Sequence, residues 1–393
     1  MRPDATPITL SPDEARRRLL AHHHLDSPSF PPGDEGARAL LKALRCIQLD
    51  PLAPLGTNAD LVAMARVEGL TQGQIYSALL PGYAFEHFAK ERCLLPATAF
   101  PWYRDRAVET PWWRLSERLK RIPQGILDKV EAEIAAIGPC TVDALSQRGR
   151  VRPLDWSGWK GTAKASRMAV EVLATRCRVV VCGRSGRGKI YGVPSRALPA
   201  VAAQTVAPGA EAFARWAIEE RAHAAGMLAR ASGPQWSMLS EARTGPVPED
   251  LIQEGRLIEL RVEGSKRPYL APPAFLERPT PAPDEHMRIL GPLDPLLWDR
   301  KLVHLAFGFE YIWEVYKPAE KRRWGWYVCP LLHRGQLVGR LEGRVRDGTL
   351  EIDRIWTEGQ PLDAVALDRC LERHAQALGA AGVQRPADKE HIS

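Results

Sequence analysis

Gln48-Leu49-Asp50 sets an amide and a carboxylate two positions apart. In an extended segment both side chains lie on one side and Leu49 on the other. Pro51 keeps the segment extended by pushing Asp50 out of helical geometry. Such a pair can hold one water between them, the amide orienting it and the carboxylate accepting its proton. By itself Gln-x-Asp is a common triplet, and without further context an ordinary turn accounts for it better.

Four other groups have the right residue types for chemistry. Residues 183–189, Gly-Arg-Ser-Gly-Arg-Gly-Lys, match the start of a phosphate-binding loop, but Ile190 stands where Ser or Thr must hold magnesium, and a strand follows instead of a helix. A hairpin tip carrying Arg184, Arg187 and Lys189 towards phosphates explains the same residues better. His22-His23-His24 point about 100° apart on a helix, and Cys177 and Cys182 fall on opposite faces of a strand, so neither set converges on an ion. No metal and no cofactor is expected. Residues 311–327 interleave aromatic rings with Lys317, Lys321, Arg322 and Arg323, a mixture that suits nucleic acid because cations neutralise phosphate while rings stack or wedge. A core of aromatics with a solvated basic rim fits that run equally well.

These groups need elements to position them. At 393 residues the chain exceeds one ordinary core of about 100 to 200 residues. Lys and Arg outnumber Asp and Glu by 54 to 47, which favours polyanionic partners. Seven scattered cysteines, an odd number, fit a reducing cytoplasm better than a secreted disulfide framework. No signal-like start or spanning apolar run is present, so a cytoplasmic protein without membrane contact is expected.

Ser11-Pro12-Asp13-Glu14 signals a helix start, and a second helix over 36–46 delivers the chain to Gln48. Helices over 124–137, 141–145 and 161–174 are followed by a hairpin over 176–193. The order returns over 211–228, 235–243 and 248–254, with a second basic hairpin, 256–270, that carries Lys266 and Arg267. Helices closed by a hairpin make a winged helix. Prolines over 272–283 form a stiff linker, and 326–356 reads as a β-meander ending on a helix over 361–380.

One long run is specific: Leu290-Gly291-Pro292-Leu293-Asp294-Pro295-Leu296-Leu297-Trp298-Asp299-Arg300-Lys301, then Phe307-Gly308-Phe309 and Trp313-Glu314-Val315-Tyr316-Lys317-Pro318. With Ile47 to Asp50, Phe85-Glu86, Leu94-Leu95-Pro96 and Trp156-Ser157-Gly158-Trp159-Lys160 in the same order, the chain resembles the YcaQ/AlkZ family of crosslink-repair DNA glycosylases. The resemblance implies an α+β chain of three tandem winged-helix modules around duplex DNA with a small β-rich C-terminal domain, spanning 1–120, 121–205, 206–280 and 281–393. It implies a monofunctional glycosylase, without metal or cofactor, that hydrolyses the N-glycosidic bond of N7-alkylated purines, interstrand crosslinks included. Gln48 and Asp50 would be its catalytic pair. Arg184, Arg187, Lys189, Lys266, Arg267, Lys317, Lys321, Arg322 and Arg323 would contact double-stranded, damaged DNA, bound by a monomer.

The chain departs from the family where an Arg-x-His is replaced by Thr57 and Ala59, and where a His becomes Lys90. Lys90, if desolvated near the site, could form a Schiff base with the sugar and add lyase chemistry; a plain surface lysine is the simpler reading. The rival to catalysis is a non-catalytic winged-helix DNA-binding protein or transcriptional regulator. A regulator would have no need of a water-holding pair, and a protein-interaction scaffold would leave the basic hairpins unexplained.

Overall fold

The computed structural model describes residues 8–104, 106, 114–152, 161–359, 361–385 and 391–392. Trp156-Ser157-Gly158-Trp159-Lys160 lies outside them. Contacts gather the chain into two units, 1–75 with 214–393, and 76–213. These units cut across the four expected spans, because 1–120 divides at Tyr76 and 281–393 shares a unit with 1–75.

In the first unit Ser11 accepts the Glu14 N–H at 3.1 Å and opens the helix Pro12–His22, as its capping sequence predicts. The strand Ile8–Leu10 before it runs parallel to Ile258–Val262, which pairs antiparallel with Tyr269–Ala271, and that strand with Leu228–Ala229. The two chain segments of the unit therefore build one sheet. Leu19, Leu20, Leu260, Tyr269, Leu297 and Phe309 pack into one core around it. A pairing across about 250 residues has no local signature, so the sequence reads these stretches as separate modules.

The helix Gly33–Leu44 buries Ala37, Leu40, Leu41 and Leu44, an i, i+3, i+4, i+7 stripe. It ends on Arg45 with φ 65, and the chain turns into the extended Ile47–Gln48. The expected meander forms as Cys329–His333, Gln336–Arg346 and Thr349–Thr357, flanked by Arg288–Ile289 and Gly382–Gln384 and packed against the helix Ala364–Ala377. Leu55 and Leu61 belong to the same core. Among the described residues no helix is long and apolar enough to cross a membrane.

In the second unit Ala84–Ala89 and Glu91–Pro96 form a hairpin whose turn is Lys90. Helices Ile126–Ile137 and Ala165–Thr175 pack together, and Cys140–Thr141, Gly188–Gly192 and Val180–Ser185 make a three-stranded sheet in that order. The Gly-rich run 183–189 is thus a tight hairpin rather than a loop feeding a helix. Its reversal is shorter than the sequence suggests, because Gly183 and Arg184 pair across it with Ile190 and Lys189.

Candidate active site

Gln48 is buried and Asp50 half-buried, on the segment leaving the helix Gly33–Leu44. One carboxylate oxygen of Asp50 accepts the Leu52 N–H at 2.8 Å, fixing the turn at Pro51. Partial burial raises the Asp50 carboxyl above its ordinary value, against the opposing pull of that N–H. A carboxylate with raised pKa is a stronger proton acceptor. The turn is seated on the C-terminal sheet and helix: Val345 N–H donates to Pro54 O at 3.2 Å, and His374 Nε2 to Leu55 O at 3.0 Å.

The Gln48 backbone is held by Asn58. This fully buried amide donates from Nδ2 to the Gln48 carbonyl at 2.8 Å and accepts the Leu293 N–H on Oδ1 at 3.0 Å. A Cβ at Gly291 would overlap Asn58 Oδ1, so only glycine allows that approach. Next in the run, Asp294 pairs through both oxygens with Arg66, at 2.7 and 2.9 Å, with both side chains fully buried. Arg66 also donates to His23 O and Val62 O, and Asp294 caps Leu296 N, so neither charge is left uncompensated. The most specific run of the sequence is therefore a brace behind the Gln-x-Asp segment. Asn58 and Arg66 were missed as site residues because nothing local marks an amide or a guanidinium for a partner more than 200 residues away.

Thr57 and Ala59, the departures noted above, have structural work here. Thr57 caps the helix Asn58–Met64 in a reciprocal box with Asp60, whose Oδ2 accepts Thr57 N at 3.0 Å, while Ala59 is fully buried. A cavity of about 400 Å³ lies among Met64, Arg288, Cys370, Arg373 and His374, and includes neither Gln48 nor Asp50.

The histidine triplet turns into the core. His22 donates from Nε2 to His223 O at 2.7 Å, and burial lowers its pKa to about 4 and that of His24 to about 3. Cys177 and Cys182 are buried thiols. Among the described residues no group of three or more His, Cys, Asp or Glu is placed to hold a metal ion.

The expected DNA-facing cations divide into two kinds. In the second unit Arg184 and Lys189 both pair with Glu86, Lys189 at 2.5 Å, and Arg184 stacks on Tyr76 at 4.1 Å. Burial would raise the Glu86 carboxyl, but the two cations outweigh it and hold it below its ordinary value. These two side chains thus lock the hairpin internally, while Arg187 at its tip is exposed. Lys90 is buried at the turn of its hairpin, which corrects the reading of a surface lysine. In the first unit Lys266 is exposed and Arg267 pairs with Asp299 at 3.1 Å. Lys317 pairs with buried Glu314 at 2.8 Å and Arg323 with exposed Glu310 at 2.7 Å; Lys321 is exposed, and Arg322 donates to Lys317 O.

A family model described as DNA glycosylase AlkZ-like matches residues 41–377. Among solved structures, the Streptomyces sahachiroi DNA glycosylase AlkZ matches with a TM-score of 0.60 at 18% identity, over 96% of this chain and 100% of that one. At that identity the likeness is one of fold.

Proposed function

The chain belongs to the AlkZ-like DNA glycosylase family, and from that premise we propose a monofunctional enzyme that hydrolyses the N-glycosidic bond of N7-alkylated purines. Alkylation at N7 makes the base cationic and already a good leaving group. The C1′–N9 bond breaks with both electrons going to the base, which departs neutral, and positive charge develops on the sugar. The Asp50 carboxylate stabilises that charge and takes the proton from the water that attacks C1′, while Gln48 orients the water. An N7 purine tied into an interstrand crosslink presents the same leaving group, so crosslink unhooking belongs to the same proposal.

The observation that carries the reading is Asp50 itself: half-buried, anchored through one oxygen, shifted towards greater basicity, and following a Gln48 whose backbone is braced by Asn58. We read the elements from Ile126–Ile137 to Gly188–Gly192, and those from Ala210–Ala225 to Tyr269–Ala271, as two winged helices, with an N-terminal module that carries the catalytic pair. Arg187, Lys266, Lys321, Arg322 and Arg323, the last from a pair with exposed Glu310, would reach phosphates, and Arg184, Lys189, Arg267 and Lys317, each paired with a less exposed acid, would set the hairpins and loop that present them. The test is duplex DNA carrying one N7-methylguanine, assayed for abasic sites. Binding without base release would favour the non-catalytic reading.

A further inference from the structure

The aromatic and basic run 311–327 folds into a loop of the first unit whose course is fixed by two carboxylates. Glu314, buried, accepts Arg323 N–H at 3.1 Å, Trp324 N–H at 2.8 Å and the Lys317 ammonium at 2.8 Å. Glu342 accepts Trp326 N–H at 2.6 Å and Tyr327 N–H at 3.1 Å, and a Cβ at Gly325 would overlap it. Arg322 donates from Nε to Lys317 O at 2.8 Å, and the Arg340 guanidinium lies on the Trp324 ring at 3.9 Å. The return of the loop, from Arg323 to Tyr327, is tied to the two carboxylates.

At its crown stands Tyr316, 84% exposed, its ring edge-on to Trp313 at 5.5 Å. Lys317, Lys321 and Glu320 beside it are exposed as well, with Arg322 half-buried. A single exposed apolar side chain needs no explanation. An exposed ring among more cations than acids, on a turn closed by the Lys317 N–H on Glu314 O at 2.9 Å and followed by a return segment held by two carboxylates, is different. The turn that carries it is closed and one edge of the ring rests on Trp313, so part of the ordering cost of binding is already met. The chemistry that fits is a flat face needing a stacking partner, next to phosphates needing cations. In duplex DNA such a face is exposed where a base has lost its neighbour.

We propose that Tyr316 is a stacking finger that engages an unstacked nucleotide in damaged duplex DNA, with Lys321 and Arg322 on the flanking phosphates. The proposal rests on the reading of the chain as acting on DNA, and adds to it a residue that senses the gap left by a lost base.

The probe is a duplex with a tetrahydrofuran abasic-site analogue opposite 2-aminopurine, compared with the intact duplex. Wild type is expected to bind the gapped duplex roughly tenfold or more tightly than the intact one and to quench the 2-aminopurine, the scale of one base–aromatic stack. Tyr316→Ala should lose that preference and the quenching while keeping the slope of log affinity against log salt, since stacking releases no counterions. Tyr316→Phe should retain both. Lys321→Ala and Arg322→Ala should each lower the slope by about 0.9. If wild type releases alkylated base and Tyr316→Ala still shows the full preference and quenching, the finger is refuted and the glycosylase reading stands. If the Tyr316-dependent quenching is seen but no alkylated base is released, the finger stands and the glycosylase reading falls. Absence of binding to either duplex overturns both.

Discussion

Asn58 Nδ2 donates to the Gln48 carbonyl at 2.8 Å, and this one buried contact couples the Gln-x-Asp segment to the loop that begins at Gly291. Its loss should be felt in turnover more than in DNA affinity, because it sets a position rather than a contact with DNA. Asn58→Ala leaves the Gln48 carbonyl and the Leu293 N–H without their partner, at a cost of about 1–3 kcal/mol of stability. Asn58→Asp keeps the acceptor for Leu293 but sets an oxygen against the Gln48 carbonyl. Single-turnover base release should fall tenfold or more in both variants, roughly the effect of about 1.4 kcal/mol of misplacement. Affinity for duplex DNA, measured at one salt concentration, should stay within about twofold.

Asp50→Asn preserves shape while removing the charge and the proton acceptor. Base release should fall by roughly 10² or more, the scale of a lost general base, with DNA binding retained. Gln48→Ala should lose less. Because the base must be ionised, wild-type turnover should rise with pH through the elevated pKa of Asp50 and then level off, and Asp50→Asn should flatten that profile. Release at the wild-type rate by Asp50→Asn would remove the assigned mechanism. Chelators should leave wild-type activity unchanged.

The hairpin cations should separate by experiment. Arg187→Ala should reduce the salt slope of duplex binding by about 0.9 with little change in stability. Lys189→Ala and Arg184→Ala each remove a partner from fully buried Glu86, so each should lower the melting temperature. Glu86→Gln combined with Lys189→Ala should recover part of the loss, because the uncompensated charge is gone. Equal melting temperatures for wild type, Lys189→Ala and Arg184→Ala would show that the Glu86 pairing holds nothing together.

Acid should destabilise the fold through histidines buried as neutral rings. His22, His87 and His374 have their pKa lowered by burial from 6.5 to about 4. The unfolded chain then binds more protons than the folded one between those values, so stability falls as pH drops from about 6.5 towards 4. His87 and His374, which are buried, each contribute up to about 3 kcal/mol to that loss, and half-buried His22 contributes less. Denaturant midpoints measured across this window should show the decline. His374→Gln, which can still donate to Leu55 O, should make it shallower.

Local pattern determined much of this protein. Ser11 and Pro12 set the first helix, Gly33–Leu44 follows from its apolar stripe, and alternation gave Val180–Ser185 with Gly188–Gly192 and the meander from Cys329 to Thr357. The long run around Asp294 identified the family, and Gln48 with Asp50 was legible as a candidate pair because the residue types and their spacing are local. Tertiary structure decided what lies far apart in sequence. It joined Ile8–Leu10 to Ile258–Val262, placed Asn58 between Gln48 and Leu293, and buried Arg66 on Asp294. It also paired Arg184 and Lys189 with the buried Glu86. Charge and hydrogen-bonding capacity are written in each side chain, but a buried group takes whichever complementary partner the fold brings within about 3 Å. That choice depends on the whole chain and leaves no trace in its neighbours.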